Sequence, residues 1–389
     1  MKKENKIDVL HVVRTFGDRN QPYTTKLLDS INGLGEMTHA VVSDITFRES
    51  ESIEIKSVSS KIGVSQVFSV FYLVKCFFNR TLYKSVANLS LKKKVKFFLK
   101  WKNLFLLNPK VIHLHHLQVF DIHIINYLKE VGVPIVASLR GRDILINTRN
   151  VKGKKEFLKH INAFDHIHVI SLYLKQKLTD LSNIKSVTVV YRGGEMPSDK
   201  NIKNNFKIRS NTPIRIITVG RLVWEKGHVF MFDSIKRLVQ QGFNIKLDIY
   251  GDGPFYEFLE FRISQLGLQN NIELKGHVNS QLLQRKYKEY DFSIQPSLSE
   301  ALSNGLLDLA FHNIPCIISD VGGMPEIIKH NVNGLVYDIQ DSNQLDHAIK
   351  NILNLNFEKL NKHNEELREK FSLQNEVSRL ESIYTKFVS

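Results

Sequence analysis

The sequence predicts an α/β protein of two domains, each built on a parallel sheet. Three observations predict it. Apolar runs of strand length alternate with helical patterns in two successive series, a rhythm that implies parallel strands joined by crossover helices. The chain has 389 residues and 42% apolar content, enough for two cores. Between the series, Glu195 to Pro213 (EMPSDKNIKNNFKIRSNTP) has few large apolar residues and many turn formers, as a linker does.

The first series opens with Ile7 to Val13 (IDVLHVV), a strand, followed by RTFGDRNQPYTT and a helix near Leu27 to Ile31. This β-loop-α unit lacks GxGxxG, so it carries no dinucleotide fingerprint, and Gly17 marks the turn. His39 to Val42 is a second strand. After Pro109, KVIHLHHLQ and VPIVASLRGRD each read as a strand running into a loop. FDHIHVISLYL is a third strand, entering a helix at Ser171, and VTVVYRGGE ends the half, with Gly193-Gly194 after a strand. On an HLHH strand, His113 and His115 share one face and His116 takes the other, so no metal site is expected there.

One segment departs from this rhythm. Between Glu54 and Asp121 there is no acidic residue, while twelve lysines and arginines supply most of the net charge of +15. From Gln66 to Phe105 these cations are interleaved with Phe68, Phe71, Tyr72, Phe77, Phe78, Tyr83, Phe97, Phe98, Trp101 and Phe105. Such helices can lie on an anionic membrane, apolar side down. They can equally be core helices with solvated lysines. No recognisable nucleic-acid-binding motif accompanies the charge, so a nucleic-acid partner is not expected. Cys76 and Cys316 lie far apart in apolar surroundings, as buried free thiols do. No apolar run reaches the ~18 residues of a membrane span, and the N-terminal run is too short for a signal peptide. A cytoplasmic protein is expected.

The second series runs through strand Ile214 to Val219, a helix near Val229 to Gln240, strand Ile245 to Tyr250 and a helix near Phe255 to Leu266. A strand at Ile272 to Leu274 and helix Gln281 to Tyr290 follow. It leads to PSLSEALSNGLLDLAFHNIPCIISDVGGMP, from Pro296 to Pro325. Strand Phe292 to Gln295 ends there, a polar loop carries Glu300, and Asn304-Gly305 opens a helix containing Asp308. Unpaired N–H groups and the positive dipole end collect where that helix starts, so phosphate oxygens can be held without a metal. Ile314 to Ser319 reads as the next strand. Strand Ile214 to Val219 ends in GRLVWEKG, placing Arg221 and Lys226 in a loop at the same sheet edge, where two cations can neutralise a diphosphate. No D-x-D motif is present. Helical patterns near Leu345 to Ile352 and Val377 to Phe387 close the chain.

These motifs resemble the signature of family 4 retaining nucleotide-sugar glycosyltransferases (GT-B fold, glycosyl transferases group 1). The nearest in look are bacterial exopolysaccharide and lipopolysaccharide sugar transferases. The resemblance implies two Rossmann-like domains facing across a cleft. Residues 1–195 would form the acceptor-side domain, rejoined by a C-terminal helix over 373–389; 196–213 would be the linker and 214–372 the nucleotide-sugar domain. GRLVWEKG is similar to the family's diphosphate loop at Gly220, Arg221, Lys226 and Gly227. EALSNGLLDLA resembles its loop and helix with two glutamates eight positions apart; the first is Glu300, and the second position holds Asp308. Glu300 would then hold donor-sugar hydroxyls and Asp308 the ribose. DIYGDGP and LKGHV are similar to the loops beside the nucleoside, implying contacts from Gly251, His277 and Val278. Ser303, Asn304 and Gly305 would meet the phosphates, and Gly17 and Arg140 would contact the donor from the first domain. Many members have histidine where Arg140 stands.

The implied enzyme moves a sugar from a UDP- or GDP-linked donor to a lipid-linked or surface-glycan acceptor, with retention and without metal or cofactor. It would work at the inner face of the cell membrane, docked through 66–105. Two alternatives differ in kind: an inactive relative serving as a binding or scaffold subunit, and another nucleotide-sugar enzyme of the same fold, such as an epimerase or phosphorylase.

Overall fold

The computed structural model describes residues 7–17, 22–57, 73, 76–117, 122–205 and 212–388. They form two compact units. The first comprises residues up to Ile170, Lys175–Val190 and the end of the chain from Glu376; the second comprises Ser171–Leu174 and Tyr191–Asn375. Each is a parallel-sheet α/β structure, as the alternating pattern predicts.

The sheet of the first unit contains β1 (Val9–Phe16), β2 (His39–Thr46), β3 (Glu54–Ser57), β4 (Val111–Leu114), β5 (Ile135–Leu139), β6 (His166–Val169) and β7 (Val187–Val189). Their order is β3-β2-β1-β4-β5-β6-β7, every pairing parallel. Strand β1 is buried from Val9 to Val13 because helices cover both faces, which is why its sequence reads as an apolar run rather than an alternation. The last helix, Leu373–Val388, supplies Val377, Leu380, Ile383 and Tyr384 to this core. Strand β3, with four residues, falls below what periodicity resolves, whereas β7 lies in VTVVYRGGE, where a strand is expected.

The basic segment divides. Residues 66–72, 74 and 75, which include Phe68, Phe71 and Tyr72, lie outside the described residues. The remainder forms helices Arg80–Ser85, Leu91–Lys100 and Lys102–Leu107. Phe97, Phe98 and Trp101 are core residues, not interfacial ones. Phe98 packs edge-on against Phe77 at 5.2 Å, and Phe105 against Tyr127 at 5.1 Å. Lys94 is buried with its ammonium 4.2 Å from the Tyr83 ring centroid. What remains exposed is Phe78, Tyr83, Leu91 and Leu106 with Lys84, Lys92, Lys93 and Lys96. Spacing alone could not separate these sets, because core aromatics and exposed lysines share short helices.

The second sheet contains β8 (Ile214–Val219), β9 (Ile245–Tyr250), β10 (Ile272–Gly276), β11 (Phe292–Gln295), β12 (Cys316–Ser319) and β13 (Gly334–Tyr337), in the order β10-β9-β8-β11-β12-β13, all parallel. Strand β12 starts at Cys316 rather than Ile314, because Asn313 takes a left-handed turn (φ 59°) just before it. Leu247, Ile249, Phe292, Ile294 and Ile317 meet Phe232, Ile235, Leu238 and Leu259 in one core.

The core of the first unit is unusual in holding imidazoles. His11, His113 and His115 are fully or almost fully buried, and burial, reinforced at His113 and His115 by the Arg140 charge, holds each well below the ordinary histidine value. Burial also lowers His39, against the pull of Glu381, and brings His166 down to about 4. An unfolded chain takes up protons at these sites below about pH 6.5, whereas the folded chain does not, so stability falls with pH. Each neutral buried histidine then costs about 1.4 kcal/mol per pH unit below that value. We expect the thermal midpoint to be flat from pH 8 to 7 and to fall from pH 6.5 to 5. A midpoint unchanged down to pH 5 would mean that these rings already carry charge in the fold.

Candidate active site

Strand order reverses between β8 and β11, the neighbours whose chains leave in opposite directions, and in open α/β sheets such a reversal opens a crevice at the carboxyl edge. Both loops singled out by their sequence emerge there. After β8, Gly220 N–H donates to the Tyr250 carbonyl (2.9 Å). Gly251 lies so near that a Cβ on it would fall 1.8 Å from the Gly220 oxygen, so only glycine lets these two loops pass. A 3-10 turn, Trp224–Lys226, follows. After β11 the chain turns back, and Leu298 N–H donates to the Glu225 carbonyl (2.8 Å), tying the second loop to the first.

That tie brings Lys226 and Glu300 together. The Lys226 ammonium forms an ion pair with Glu300 Oε2, and the two side chains are only 15% and 16% exposed. Gly220 adjoins the Lys226 stem. Beside the pair, helix Asn304–Phe311 begins with Ser303 as its cap, the hydroxyl accepting from Leu306 N–H (3.4 Å). Gly305 is close-packed on β8: a Cβ there would come 3.1 Å from the Val219 carbonyl. Arg221 is exposed at the rim of the loop. His228, buried behind it, donates from Nε2 to the Arg221 carbonyl (3.3 Å), and burial holds the ring neutral, down to about 4.

A third cation was missed by sequence reasoning. Arg192 donates to Asn304 Oδ1 (3.2 Å), and burial lowers its guanidinium to about 10 while Glu300 acts to raise it. Its only sequence signal is an arginine before Gly193-Gly194 at a strand's end. Arg192, Lys226 and the helix start thus surround Glu300 with positive charge.

Asp308 is placed differently from Glu300. Its Oδ1 accepts from Gln284 Nε2 (3.0 Å) and its Oδ2 from the Tyr287 hydroxyl (2.7 Å), while His312 Nδ1 lies 3.6 Å from Oδ1. Burial raises its carboxyl above the usual range. His277 and Val278 follow β10, His277 exposed, and their loop is linked to Gly251 by Gly251 N–H donating to the Gly276 carbonyl (2.9 Å). Gly17 and Arg140 belong to the first unit, at the carboxyl ends of β1 and β5. Gly17 N–H donates to Thr25 Oγ1 (2.9 Å).

Residues 199–372, which contain every one of these loops after Arg192, match the family described as glycosyl transferases group 1. Over those residues the chain is similar to that family. A stretch of 190 residues is 30% identical to an uncharacterized glycosyltransferase, MJ1607, of Methanocaldococcus jannaschii, covering 46% of this chain and 48% of that protein. Over 140 residues the chain is 30% identical to the amylovoran biosynthesis glycosyltransferase AmsK of Erwinia amylovora, covering 34% of each. The chain therefore spans half or less of these two relatives. Among solved structures, Anabaena HepE in complex with UDP and glucose superposes with a TM-score of 0.69 at 14% identity, covering 97% of this chain and 99% of that one. The likeness supports a GT-B fold for the two parallel-sheet units.

Within the matched residues Gly322 (φ 64°) supports the glutamate loop so closely that a Cβ would fall 1.7 Å from the Glu300 carbonyl oxygen. Gly322→Ala should cost about 1–3 kcal/mol of stability and displace Glu300. A variant with wild-type thermal midpoint would show that the loop yields freely.

Proposed function

We propose that the protein is a glycosyltransferase that moves a sugar from a nucleoside-diphosphate donor to a lipid-linked or surface-glycan acceptor. In this reading it is a family 4 enzyme that retains anomeric configuration and needs no metal ion or cofactor. The observation that carries the proposal is the cation cluster at the β8/β11 reversal: Lys226, Arg192 and Arg221 beside a helix N-terminus, with Glu300 paired among them. A nucleoside diphosphate leaves readily only if its growing negative charge is met by positive groups already in place. Lys226 and Arg221 would take the diphosphate, with Ser303, Asn304 and Gly305 donating from the helix start. Glu300, released from Lys226 as phosphate replaces it, would hold donor-sugar hydroxyls. Gly220 and Gly251 would admit the nucleotide close to the backbone, and His277 and Val278 would flank the base. Gly17 and Arg140 are proposed donor contacts from the first unit. Asp308 would reach the ribose only through lone pairs that Gln284 and Tyr287 leave open. The UDP and glucose bound by HepE and the polysaccharide named for AmsK agree in kind with this donor and product.

Arg221→Ala and Lys226→Ala should each lower turnover by at least about a hundredfold, the scale of losing one charge-stabilising group, with folding unchanged by circular dichroism. Wild-type-like turnover in either would remove the diphosphate assignment. The same assay, nucleotide release from UDP- and GDP-sugars with acceptor, should run unimpaired in excess EDTA. The alternative of an inactive binding subunit is favoured by one observation, the engaged Asp308 carboxylate. Donor binding without any nucleotide release would support it instead.

We also propose that the protein docks on anionic membrane through the basic helices, at the inner face of the cell membrane. No helix among the described residues is long and apolar enough to cross a membrane. The docking face would be Lys84, Lys92, Lys93 and Lys96 with Phe78 and Leu91, since Lys94, Phe97, Phe98 and Trp101 are committed to the core. Each lysine near an anionic surface contributes roughly 1 kcal/mol. Co-sedimentation should require anionic lipid, weaken with salt and fall when Lys92, Lys93 and Lys96 become glutamine, whereas equal binding to neutral vesicles would refute it.

A further inference from the structure

Arg140 ends a chain of buried imidazoles whose polarity it dictates. The Arg140 guanidinium donates from Nη1 to Thr24 Oγ1 and from Nη2 to His115 Nδ1, the latter at 2.6 Å. A guanidinium has only donors. His115 Nδ1 must therefore be the bare, accepting nitrogen, and its proton sits on Nε2. That Nε2 lies 2.9 Å from His11 Nδ1, so it donates there, and His11 in turn carries its proton on Nε2. His11 Nε2 lies 2.9 Å from His39 Nδ1 and donates to it. His39 is left with its proton on Nε2, 3.5 Å from Glu381 Oε1 on the last helix. The same carboxylate oxygen accepts from Glu36 and Met37 N–H at 2.8 and 3.0 Å, which fixes it in place. Three hydrogen bonds, each decided by the one before, thus run from a guanidinium through three neutral rings, and a carboxylate stands 3.5 Å beyond the last.

The geometry points to His115, His11, His39 and Glu381 as positioning residues that hold the Arg140 guanidinium in one orientation at the carboxyl end of β5. This rests on the reading of Arg140 as a donor contact. A free arginine side chain samples many rotamers, and ordering it on the donor would cost binding energy that a preset guanidinium does not lose. The strand register makes the array possible: His11 and His113 are directly paired across β1 and β4, so His115 rises one step above on the same face. A parallel branch, in which His113 reaches the Tyr384 hydroxyl (2.5 Å) and Ser138 Oγ (2.6 Å), packs against the chain without sharing its atoms. Ring nitrogens of His11, His113 and His115 also lie within 4.8 Å of one another, close enough for one metal ion. The hydrogen bonds already given engage both nitrogens of each ring, and the Arg140 charge opposes a cation, so the chain and not a metal site is the assignment.

The test has a spectroscopic arm and a kinetic arm. In ¹⁵N-histidine-labelled full-length protein at pH 7, two-bond proton–nitrogen correlations should show His115, His11 and His39 all neutral and all protonated on Nε2. Arg140→Met should release His115 into a mixture of tautomers. An Nδ1–H form or an imidazolium in any of the three, or no response to Arg140→Met, overturns the chain. So does a stoichiometric shift of the His11, His113 and His115 signals on adding Zn²⁺. In the kinetic arm, His115→Asn keeps an acceptor near the Nδ1 position and His115→Gln does not. Donor KM should stay within about threefold for Asn and rise about tenfold for Gln, the scale of one lost bond to a charged group, with kcat changing less. Equal effects of the two substitutions would leave His115 a packing residue and refute its positioning role. Wild-type protein without transferase activity would instead count against the proposed function, and the tautomers would still be read.

Discussion

The Lys226–Glu300 ion pair depends on the reversal of strand order between β8 and β11, which brings the two loops to one sheet edge. Two charges at 15% and 16% exposure are costly to remove from water unless they meet each other. The backbone supplies the meeting: the Glu225 carbonyl accepts from Leu298 N–H, and Gly251 and Gly322 let neighbouring loops approach at distances no side chain would allow. Removing either partner leaves a half-buried charge beside the helix start. Arg192 sharpens the asymmetry, because its charge would remain when Glu300 is lost. The arrangement is poised for an anion, since a phosphate can take the place of the carboxylate on Lys226.

The first unit follows another logic. Its core accommodates polar rings because each finds a partner in the adjacent strand or the last helix. His166 meets Ser186 and Thr188, and His113 meets Ser138 and Tyr384. Buried polar groups that are fully paired can specify one arrangement of strands, whereas an unpaired one would destabilise the fold. The last helix is part of that pairing through Tyr384 and Glu381, so the end of the chain and its first strand are fixed by the same side chains.

Much of this was legible in the sequence. Continuous apolar runs gave the long parallel strands, since burial on both faces leaves no alternation to confuse them. GRLVWEKG and SEALSNG announced a loop at a sheet edge and a capped helix start, because glycine, serine and asparagine are needed at those turns for steric and hydrogen-bonding reasons. Arg192 was not legible: one arginine before two glycines has no periodicity, and its neighbour Asn304 is 112 residues away in sequence. The basic segment was legible as charge but not as surface, since Lys94 and Trp101 are buried among residues that spacing cannot rank.

What the sequence determined by itself is local: which stretches form strands and helices, where turns need glycine, and which residue types stand at the ends of β8 and β11. Tertiary structure alone decided which side chains meet. Strand order sets that, and strand order follows from long-range pairing that no window of sequence contains. It joined Lys226 to Glu300 across 74 positions and gave Asp308 to Tyr287 and Gln284. It also lined up His11 with His115 across 104 positions. There, the donor-only chemistry of one arginine settles every proton along the row.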